Sequence, residues 1–408
     1  MNIVIAGAGI AGLSAAEAAR KENPKCEVVL FSREAQRPYF RPRLPQVVSG
    51  EAASDAIYVH PEEWYRQPGL EFRLGETLLE VNPETRQARG SLGSRLTYDA
   101  LLVATGAVPF MPDAARNFTL PGVFPLRTLT DASALRQTAK SSRTAVLLGS
   151  GLLGLELGFA LTRMGLTVHV LEMGGRVLPL QTTPKSSAKL QKLLEAKSFV
   201  FHLGAEAERA EGAERLERVV LKSGAGINCD LMAVSAGVTA AAELAVPLGL
   251  KTDRGIVVDQ FMETTRPGVY AAGDCAQTPD RRGGMWSIAR AEGLAAGRNI
   301  VQEDPARRVP YVPVAPSAIL KVAGIDLTSV GNIDPEGKLP FSEHEEGDSY
   351  RKVVTSPAGL MAGFTVLGNR EGVAELTRAV NKKSLDAGML EALSGPGFDF
   401  KRLDALPG

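Results

Sequence analysis

The chain has 408 residues, with 46 basic and 46 acidic side chains and 44% hydrophobic residues. This length predicts two or three domains with large cores, and the balanced charge gives no indication of binding to nucleic acid or to an anionic membrane. There is no apolar run of about 18 residues and no recognisable signal peptide, so we expect a cytoplasmic protein without a membrane span.

The N-terminus has the pattern of a strand, a glycine-rich turn and a helix. The apolar run Asn2–Ala6 is typical of a strand, and the alanine-rich residues 13–20 predict a helix. Glycines between such elements allow a tight turn and let a pyrophosphate approach the N-terminus of the helix. The candidate residues of this turn are Gly7, Gly9, Ile10, Ala11 and Gly12.

A second unit of the same kind follows about 140 residues later. Residues 145–148 predict its strand and residues 155–164 its helix. A single turn of this kind is weakly informative, but two in the same strand–turn–helix context predict two dinucleotides, one of which donates electrons to the other. The second set of candidates is Gly149, Gly151, Leu152, Leu153 and Gly154.

Further elements are predicted around these two units. Prolines at 109, 112, 121 and 125 predict a linker, and the second unit is expected from about residue 144 to about residue 237. Beyond residue 310 the pattern predicts a third, smaller α+β domain. The predicted strands are 27–31, 100–103, 167–171, 255–258, 269–273, 319–322, 351–355 and 360–367, and later helices are predicted at 288–300 and from about 373.

Glu172 predicts the choice of coenzyme. It follows strand 167–171 and lies 23 residues after Gly149. A carboxylate there accepts hydrogen bonds from the ribose hydroxyls of NAD and repels the 2′-phosphate of NADP. We therefore predict a preference for NADH of at least about tenfold, which Arg176 nearby could soften. The alternative is that Glu172 is only an exposed charge at a strand end.

The motifs together resemble the FAD-dependent pyridine nucleotide oxidoreductases. Besides the two turns, the chain carries Ala104-Thr105-Gly106 and the segment 264–274, which is similar to the T…P…YAAGD segment of that family. The resemblance implies an α/β fold with two Rossmann-like dinucleotide-binding domains, for FAD and NAD, and a C-terminal α+β interface domain. It implies an FAD-binding domain at 1–110 and 240–308, an NAD-binding domain at 111–239 and a C-terminal domain at 309–408.

Shorter segments resemble NADH:rubredoxin reductases and the ferredoxin reductases that serve oxygenases. These segments are 37–44, 126–132, 286–289 and 319–331. The last of them is also similar to the large subunit of NADH-dependent nitrite reductases.

The same resemblance implies roles for individual residues. Asp274, after Gly273, would bind the ribityl chain of FAD, Arg127 would contact FAD, and Trp286 would lie near the flavin unless it is a core side chain. Arg41 would neutralise part of the FAD pyrophosphate, with a solvated loop charge as the alternative. The remaining cofactor-binding candidates are Leu78, Ala104, Thr105, Gly106 and Gly237.

Two positions leave alternatives open. Either the Ser32 hydroxyl or Glu34 could meet the adenosine ribose of FAD. Glu156, on the first turn of the second helix, matches a glutamate that lies near nicotinamide and flavin in the resembling enzymes, where some relatives pair it with a lysine. Here Gln46 occupies the comparable place and Arg43 is a weak substitute, so a simpler role for Glu156 at the helix N-terminus is equally supported.

Cysteine placement argues against thiol chemistry. Disulfide reductases, peroxidases and water-forming NADH oxidases of this superfamily carry a redox cysteine beside the flavin, whereas residues 33–50 contain none. Cys26, Cys229 and Cys275 form no C-x-x-C pair, and the four histidines lack metal-ligand spacing. We therefore expect no metal and assign the redox work to organic cofactors.

The expected activity has two stages. NADH passes a hydride to FAD, which then delivers single electrons to a small carrier, with rubredoxin the first candidate and a ferredoxin the second. Alternatives are a peroxide-forming NADH oxidase, a subunit or homologue of nitrite reductase, and a redox-sensing flavoprotein. The pairs Arg281-Arg282 and Arg307-Arg308 are candidates for steering an acidic rubredoxin, with solvated loop charges as the alternative. Both a monomer and a homodimer remain open.

Overall fold

The computed structural model describes residues 1–279, 284–322 and 324–407. Arg281 and Arg282 lie outside this set. Within these residues the largest sheets are two parallel sheets and one antiparallel sheet, each of five strands. No helix in these ranges has the length and apolar character needed to span a membrane.

The first 110 residues form most of one parallel sheet and a separate antiparallel one. In the parallel sheet, the first strand pairs with the second strand and with the strand at Ala100–Val103. The predicted helix begins earlier than expected, at Ile10 within the glycine motif, with Gly9 as its N-cap. The elements are β1 (Asn2–Ala6), α1 (Ile10–Glu22), β2 (Glu27–Ser32), α2 (Leu44–Ser49), β3 (Leu70–Leu74), β4 (Leu78–Asn82), β5 (Gln87–Gly90), β6 (Arg95–Thr97), β7 (Ala100–Val103) and β8 (Ala107–Pro109).

The next part of the chain builds the second parallel sheet and a three-stranded antiparallel sheet beside it. The elements are α3 (Asp113–Arg116), β9 (Val123–Pro125), α4 (Leu129–Ala139), β10 (Thr144–Leu148), α5 (Leu152–Arg163), β11 (Thr167–Glu172), α6 (Pro184–Glu195), β12 (Phe199–Leu203), β13 (Ala207–Glu211), β14 (Arg218–Leu221), β15 (Gly226–Asn228) and β16 (Leu231–Val234). The parallel strands lie in the order β12-β11-β10-β16-β9.

The proline-rich stretch predicted as a linker contains a strand of the second sheet. β9 pairs in parallel with β16, with Pro125 opposite Val234, so the prediction that this unit starts near residue 144 was wrong. Pro125 has no N–H to donate, which is tolerated because β9 is an edge strand. The following helix, α4, begins with a capping box between Thr128 and Asp131.

After β16 the chain returns to the first sheet. The elements are β17 (Val238–Ala240), β18 (Ile256–Val257), β19 (Val269–Ala271), β20 (Ala276–Gln277) and α7 (Trp286–Asn299). β17 pairs antiparallel with β8, and β19 pairs in parallel with β7. The first sheet therefore has the order β3-β2-β1-β7-β19, which repeats the arrangement of the second. Each glycine turn lies where the strand order reverses, the place at which α/β sheets bind ligands.

The C-terminal part is an antiparallel sheet with short helices, as predicted. The elements are β21 (Ser317–Val322), β22 (Ile325–Gly331), β23 (Phe341–Glu346), β24 (Ser349–Thr355), β25 (Met361–Leu367), α8 (Val373–Ala379), α9 (Ala387–Ala392) and α10 (Lys401–Asp404). Leu320, Leu327 and Tyr350 share a buried cluster with Leu161 and Leu190 of the second unit. The sheet thus packs against α5 and α6, and the predicted fold class of two Rossmann-like units plus a C-terminal α+β domain is confirmed.

Candidate functional site

The first glycine of each turn allows close packing at a strand end. Gly7 and Gly149 have φ of 115° and 100°, in the region that favours glycine. A Cβ on Gly7 would collide with the carbonyl oxygen of Ala104, and one on Gly149 would lie 2.5 Å from that of Ser235. Ala104 directly follows β7 and Ser235 directly follows β16, so the two turns are built alike.

The second and third glycines of each turn have different environments. Within the described residues, a Cβ on Gly9 or Gly151 would meet nothing within 4 Å, whereas one on Gly154 would lie 2.8 Å from the carbonyl oxygen of Gly149. Gly9 and Gly151 are also the N-caps of α1 and α5 and supply no side-chain cap. Open space in front of uncapped helix N–H groups fits the pyrophosphate of a dinucleotide at each turn.

Glu172 is held against the second turn. One carboxylate oxygen, Oε2, accepts from the backbone N–H of Ser150 at 3.0 Å and from its hydroxyl at 2.6 Å, and Oε1 accepts from the N–H of Gly174 at 2.7 Å. A negative charge is thereby fixed at the end of β11, where the adenosine ribose of a dinucleotide would lie. Ser150 was not predicted, although its place inside the G-x-G turn was visible.

Glu34 and Ser32 lie together at the end of β2. The Ser32 hydroxyl donates to the backbone oxygen of Glu34 at 2.9 Å. The Glu34 carboxylate accepts from the guanidinium of Arg41 and from the hydroxyl of Tyr39. Arg41 also donates to the carbonyl oxygen of Arg127 at 2.5 Å. The loop at 37–44 is thus bound both to the end of β2 and to the segment before α4.

Tyr39 is a positioning residue that sequence reasoning missed. Its hydroxyl accepts from the N–H of Leu129 at 3.1 Å and from the guanidinium of Arg41 at 3.0 Å, while it donates to Glu34. Burial raises the pKa of the Tyr39 phenol, so it stays protonated and continues to donate. Its place in the segment 37–44, which is rich in arginine and proline, was the only sequence signal.

Asp274 meets Arg127 across a long sequence separation. Arg127 Nη2 donates to Asp274 Oδ2 at 3.0 Å, and the Arg127 backbone N–H donates to Asp131 at 2.9 Å. A Cβ on Gly106 would lie 3.5 Å from Arg127 Nη2, and the Thr105 hydroxyl donates to the carbonyl oxygen of Ala241 at 2.5 Å. Candidate residues from three separate segments therefore converge beside the first turn.

Gly273 brings the same region against the start of α1. A Cβ on Gly273 would lie 2.7 Å from that of Ala11, and its N–H donates to the buried carboxylate of Glu292 at 2.8 Å. Glu292 was missed, because only the packing of α7 places it there. Leu78 is buried at the start of β4, and Gly237 has φ of 100° and open space around its Cα. Their cofactor roles stay predictions.

Trp286 is the first residue of α7 and packs on Phe40, with ring centroids 5.2 Å apart and planes inclined by 27°. Its indole Nε1 is buried and has no hydrogen-bond partner among the residues that the structure describes. A buried donor without an acceptor fits a site that a ligand completes. Phe40, in the segment 37–44, was assigned no role from the sequence and is the aromatic neighbour of Trp286.

Glu156 has no hydrogen-bond or ion-pair partner among the described residues, and burial raises the pKa of its carboxyl to about 7. Arg43 does not supply a partner: its Nε donates to Gln46 Oε1 at 2.8 Å and its Nη1 to the carbonyl oxygen of Ala56 at 3.0 Å. The substitution of Arg43 for the lysine of some relatives is therefore not observed.

The remaining predictions concern the basic pair Arg307-Arg308, the cysteines and the absence of a metal site. Arg308 forms an ion pair with Glu263 at 2.7 Å and is only 20% exposed, whereas Arg307 is exposed. All three cysteines are buried. In the described ranges, no group of three histidine, cysteine, aspartate or glutamate side chains could hold a metal ion.

These observations define a class: an α/β protein with two dinucleotide-binding turns on two equivalent sheets. The chain belongs to the pyridine nucleotide-disulphide oxidoreductase family, whose model matches residues 1–293. Residues 316–384 match the rubredoxin NAD+ reductase C-terminal domain. Members of this family use FAD and NAD(H), so the predicted family and cofactors are confirmed and the protein is an NAD(H)-dependent flavin oxidoreductase.

Individual proteins resemble the chain over most of its length. It is 34% identical over 94% of its length to the assimilatory nitrate reductase electron transfer subunit of Bacillus subtilis, but spans only 49% of that relative. It is 30% identical to the rubredoxin-NAD(+) reductase of Ectopseudomonas oleovorans, covering 91% of the chain and 97% of the relative. The crystal structure of the ferredoxin reductase for the CYP199A2 system from Rhodopseudomonas palustris is similar with a TM-score of 0.87 and 26% identity, covering 98% and 99% of the two chains.

Proposed function

We propose that this protein takes electrons from NADH and passes them to a small one-electron carrier protein, with rubredoxin as the first candidate. The observation that carries the proposal is the C-terminal segment 316–384, which matches the rubredoxin NAD+ reductase C-terminal domain. A rubredoxin-NAD(+) reductase that aligns along nearly all of both chains adds support.

The first unit would hold FAD. Its turn is open at Gly9, Asp274 follows β19 of the same sheet and binds Arg127, and the indole N–H of Trp286, unpartnered among the described residues, lies beside Phe40. We also propose the domain division 1–110 with 240–308, 111–239 and 309–408. The position of β19 beside β7 in the first sheet supports the discontinuous first domain.

The second unit would hold NADH. Glu172, fixed by Ser150 and Gly174, presents its carboxylate to the adenosine ribose, and the open face of Gly151 admits the pyrophosphate. Bound FAD would supply the chemistry that converts a two-electron donor into single-electron deliveries. What the chain supplies is orientation, and neither a protein nucleophile nor a general base is required.

The loop at 33–50 supports a route without thiol chemistry. It carries no cysteine, and its side chains are committed to other contacts, with Tyr39 and Arg41 bound to Glu34 and Phe40 packed on Trp286. Electrons would therefore leave for an external carrier without passing through a protein disulfide.

We also propose a cytoplasmic location.

A ferredoxin is the second candidate acceptor. The resemblance to the Rhodopseudomonas palustris ferredoxin reductase extends over nearly both chains. A larger oxidoreductase partner is a third, given the relative described as an electron transfer subunit of nitrate reductase.

Anaerobic stopped-flow absorbance tests the proposal. The flavoprotein is reduced with one equivalent of NADH and mixed with oxidised rubredoxin, with a [2Fe–2S] ferredoxin, or with air-saturated buffer. We expect rubredoxin to reoxidise the flavin fastest. Faster reoxidation by ferredoxin would replace the partner, and reoxidation by oxygen with both carriers inert would identify an oxidase and overturn the proposal.

A further inference from the structure

Arg176 is the one basic residue in the segment 172–183 that follows β11. Its Nη2 donates to the carbonyl oxygen of Pro179 at 3.1 Å and to Glu336 Oε1 at 3.0 Å. Glu336 belongs to the C-terminal domain, between β22 and β23. The Arg176 side chain is only 24% exposed, whereas Glu336 is 60% exposed. A residue of the third domain therefore neutralises the cation of a loop in the second.

This loop also contains the carboxylate that would meet the ribose. The N–H of Gly174 donates to Glu172, and a Cβ on Gly174 would lie 3.9 Å from Cγ of Pro179. Pro179 in turn binds the guanidinium of Arg176. Glu172 and Arg176 thus lie on one short, tightly folded segment, with the arginine turned to the C-terminal domain.

The chemistry of the two dinucleotides gives this arrangement a consequence. A carboxylate at the end of the second Rossmann strand favours the ribose hydroxyls of NAD, whereas a nearby arginine accommodates the 2′-phosphate of NADP. The segment carries both kinds of side chain. A guanidinium turned toward the ribose would favour the 2′-phosphate, whereas one held away from it would leave the carboxylate to favour NAD.

We propose that Glu336 is a specificity-determining residue, which preserves the preference for NADH by retaining Arg176 on the C-terminal domain. This inference rests on the proposed use of NADH by the second unit. Glu336 does not touch the dinucleotide, and it acts through the position and charge of Arg176.

Glu336→Gln tests the inference, because it removes the charge and keeps the shape. Glu345→Gln is the matched control: Glu345 is also in the C-terminal domain and pairs with Lys185 at 3.1 Å and Lys189 at 3.4 Å, both on α6. Binding of adenosine 2′,5′-bisphosphate and of 5′-AMP to the FAD-loaded protein is measured by calorimetry at low ionic strength. The ratio of kcat/KM for NADPH and NADH is measured with ferricyanide as acceptor, so that no carrier protein is needed.

We expect Glu336→Gln to raise two ratios by about threefold, the size expected for a partly exposed ion pair. One is the affinity for adenosine 2′,5′-bisphosphate relative to 5′-AMP, and the other is kcat/KM for NADPH relative to NADH. The shift should shrink at high salt, be absent in Glu345→Gln, and vanish in the double variant Arg176→Ala/Glu336→Gln. Three results would each overturn the inference: unchanged ratios in Glu336→Gln, an equal shift in Glu345→Gln, or a shift that remains when Arg176 is also replaced. None of them would contradict the proposed use of NADH. If the unmodified protein neither binds 5′-AMP nor oxidises NADH, the proposed function is wrong, and the inference that rests on it is wrong as well.

Discussion

At the scale of single residues, the glycines of one turn have different functions although they share a motif. Gly149 has a positive φ and contacts the backbone of Ser235, whereas Gly151 has φ of −68° and faces open space. The first is needed for folding, because an L-residue is strained there and its Cβ would press on a carbonyl oxygen. Gly151 is not required for folding, and its missing side chain matters only for the approach of a ligand.

The variants Gly151→Ala and Gly149→Ala separate these functions. We expect Gly151→Ala to unfold at nearly the same urea concentration as the parent and to raise the KM for NADH about tenfold or more, since the methyl group occupies the space of the pyrophosphate. Gly149→Ala should lower the free energy of unfolding by about 1–3 kcal/mol. Equal loss of stability in both variants would contradict this assignment.

Glu156 predicts an unusual pH dependence of stability. Burial raises its folded-state pKa from 4.5 to about 7, so between these pH values the folded protein binds more protons at this site than the unfolded chain. The contribution of Glu156 to stability therefore falls as pH rises through this window. Glu156→Gln removes that effect, and we expect the variant to be more stable than the parent by about 1–3 kcal/mol at pH 8 and equally stable at pH 4.

Urea unfolding of the NAD-free protein at both pH values checks this prediction. Glu208→Gln, which replaces an exposed glutamate of β13, is the control and should leave the difference between the two pH values unchanged. A Glu156→Gln variant that is less stable than the parent at pH 8 would show that the carboxylate has a favourable partner in solution.

Residues fixed by local backbone chemistry were predictable, and residues fixed by distant packing were not. The turn glycines and Glu172 follow from strand–turn–helix spacing alone. Tyr39 and Glu292 could not be assigned, because their partners Leu129 and Gly273 reach them only through tertiary packing. Pro125 was misjudged for a related reason: its strand is defined by pairing with β16, which proline spacing does not encode.

At the scale of elements, the contact of α7 with α1 sets the geometry of the first site. A Cβ on Gly293 would collide with the carbonyl oxygen of Ala11, and one on Gly297 with that of Ala15. Two glycines one turn apart thus let the helices approach closely, and this approach fixes where Trp286 and Glu292 lie. The contact was not predictable from sequence, since α1 and α7 are separated by more than half of the chain.

Gly293→Ala should push α7 away from α1. We expect a loss of about 1–3 kcal/mol in the free energy of unfolding, the usual cost of overpacking, together with a lower FAD content of the purified protein. Gly388→Ala is the control, because a Cβ at this position of α9 would make only an ordinary contact. We expect it to raise the free energy of unfolding by up to about 1 kcal/mol. Normal FAD content in Gly293→Ala would show that the helix contact does not control the site.

At the scale of the whole molecule, the C-terminal domain is attached to the second unit through a buried polar contact. The hydroxyl of Tyr350 donates to Glu343 at 2.6 Å and accepts from the hydroxyl of Thr183, at the N-cap of α6, at 2.9 Å. Tyr350 and Thr183 are almost fully buried, so removing the Tyr350 hydroxyl leaves the Thr183 hydroxyl without this acceptor, whereas Glu343 keeps its ion pair with Lys185.

Tyr350→Phe should therefore destabilise the protein by about 1–3 kcal/mol. Tyr98→Phe is the control, because the Tyr98 hydroxyl is buried and has no hydrogen-bond partner in the described part of the chain, so its loss should be neutral or stabilising. Denaturant midpoints of the two variants measure the difference, and equal midpoints would argue against a contribution of the domain contact to stability.

We infer that NADH delivers two electrons to a flavin and that no protein disulfide takes part. This inference rests on the two equivalent sheets, their glycine turns and the absence of cysteine from the loop at 33–50. An anaerobic titration of the FAD-loaded protein with NADH, followed by flavin absorbance, tests that account directly. We predict complete bleaching of the flavin at one equivalent of NADH per FAD. A requirement for two equivalents, or a flavin that NADH does not bleach, would contradict it.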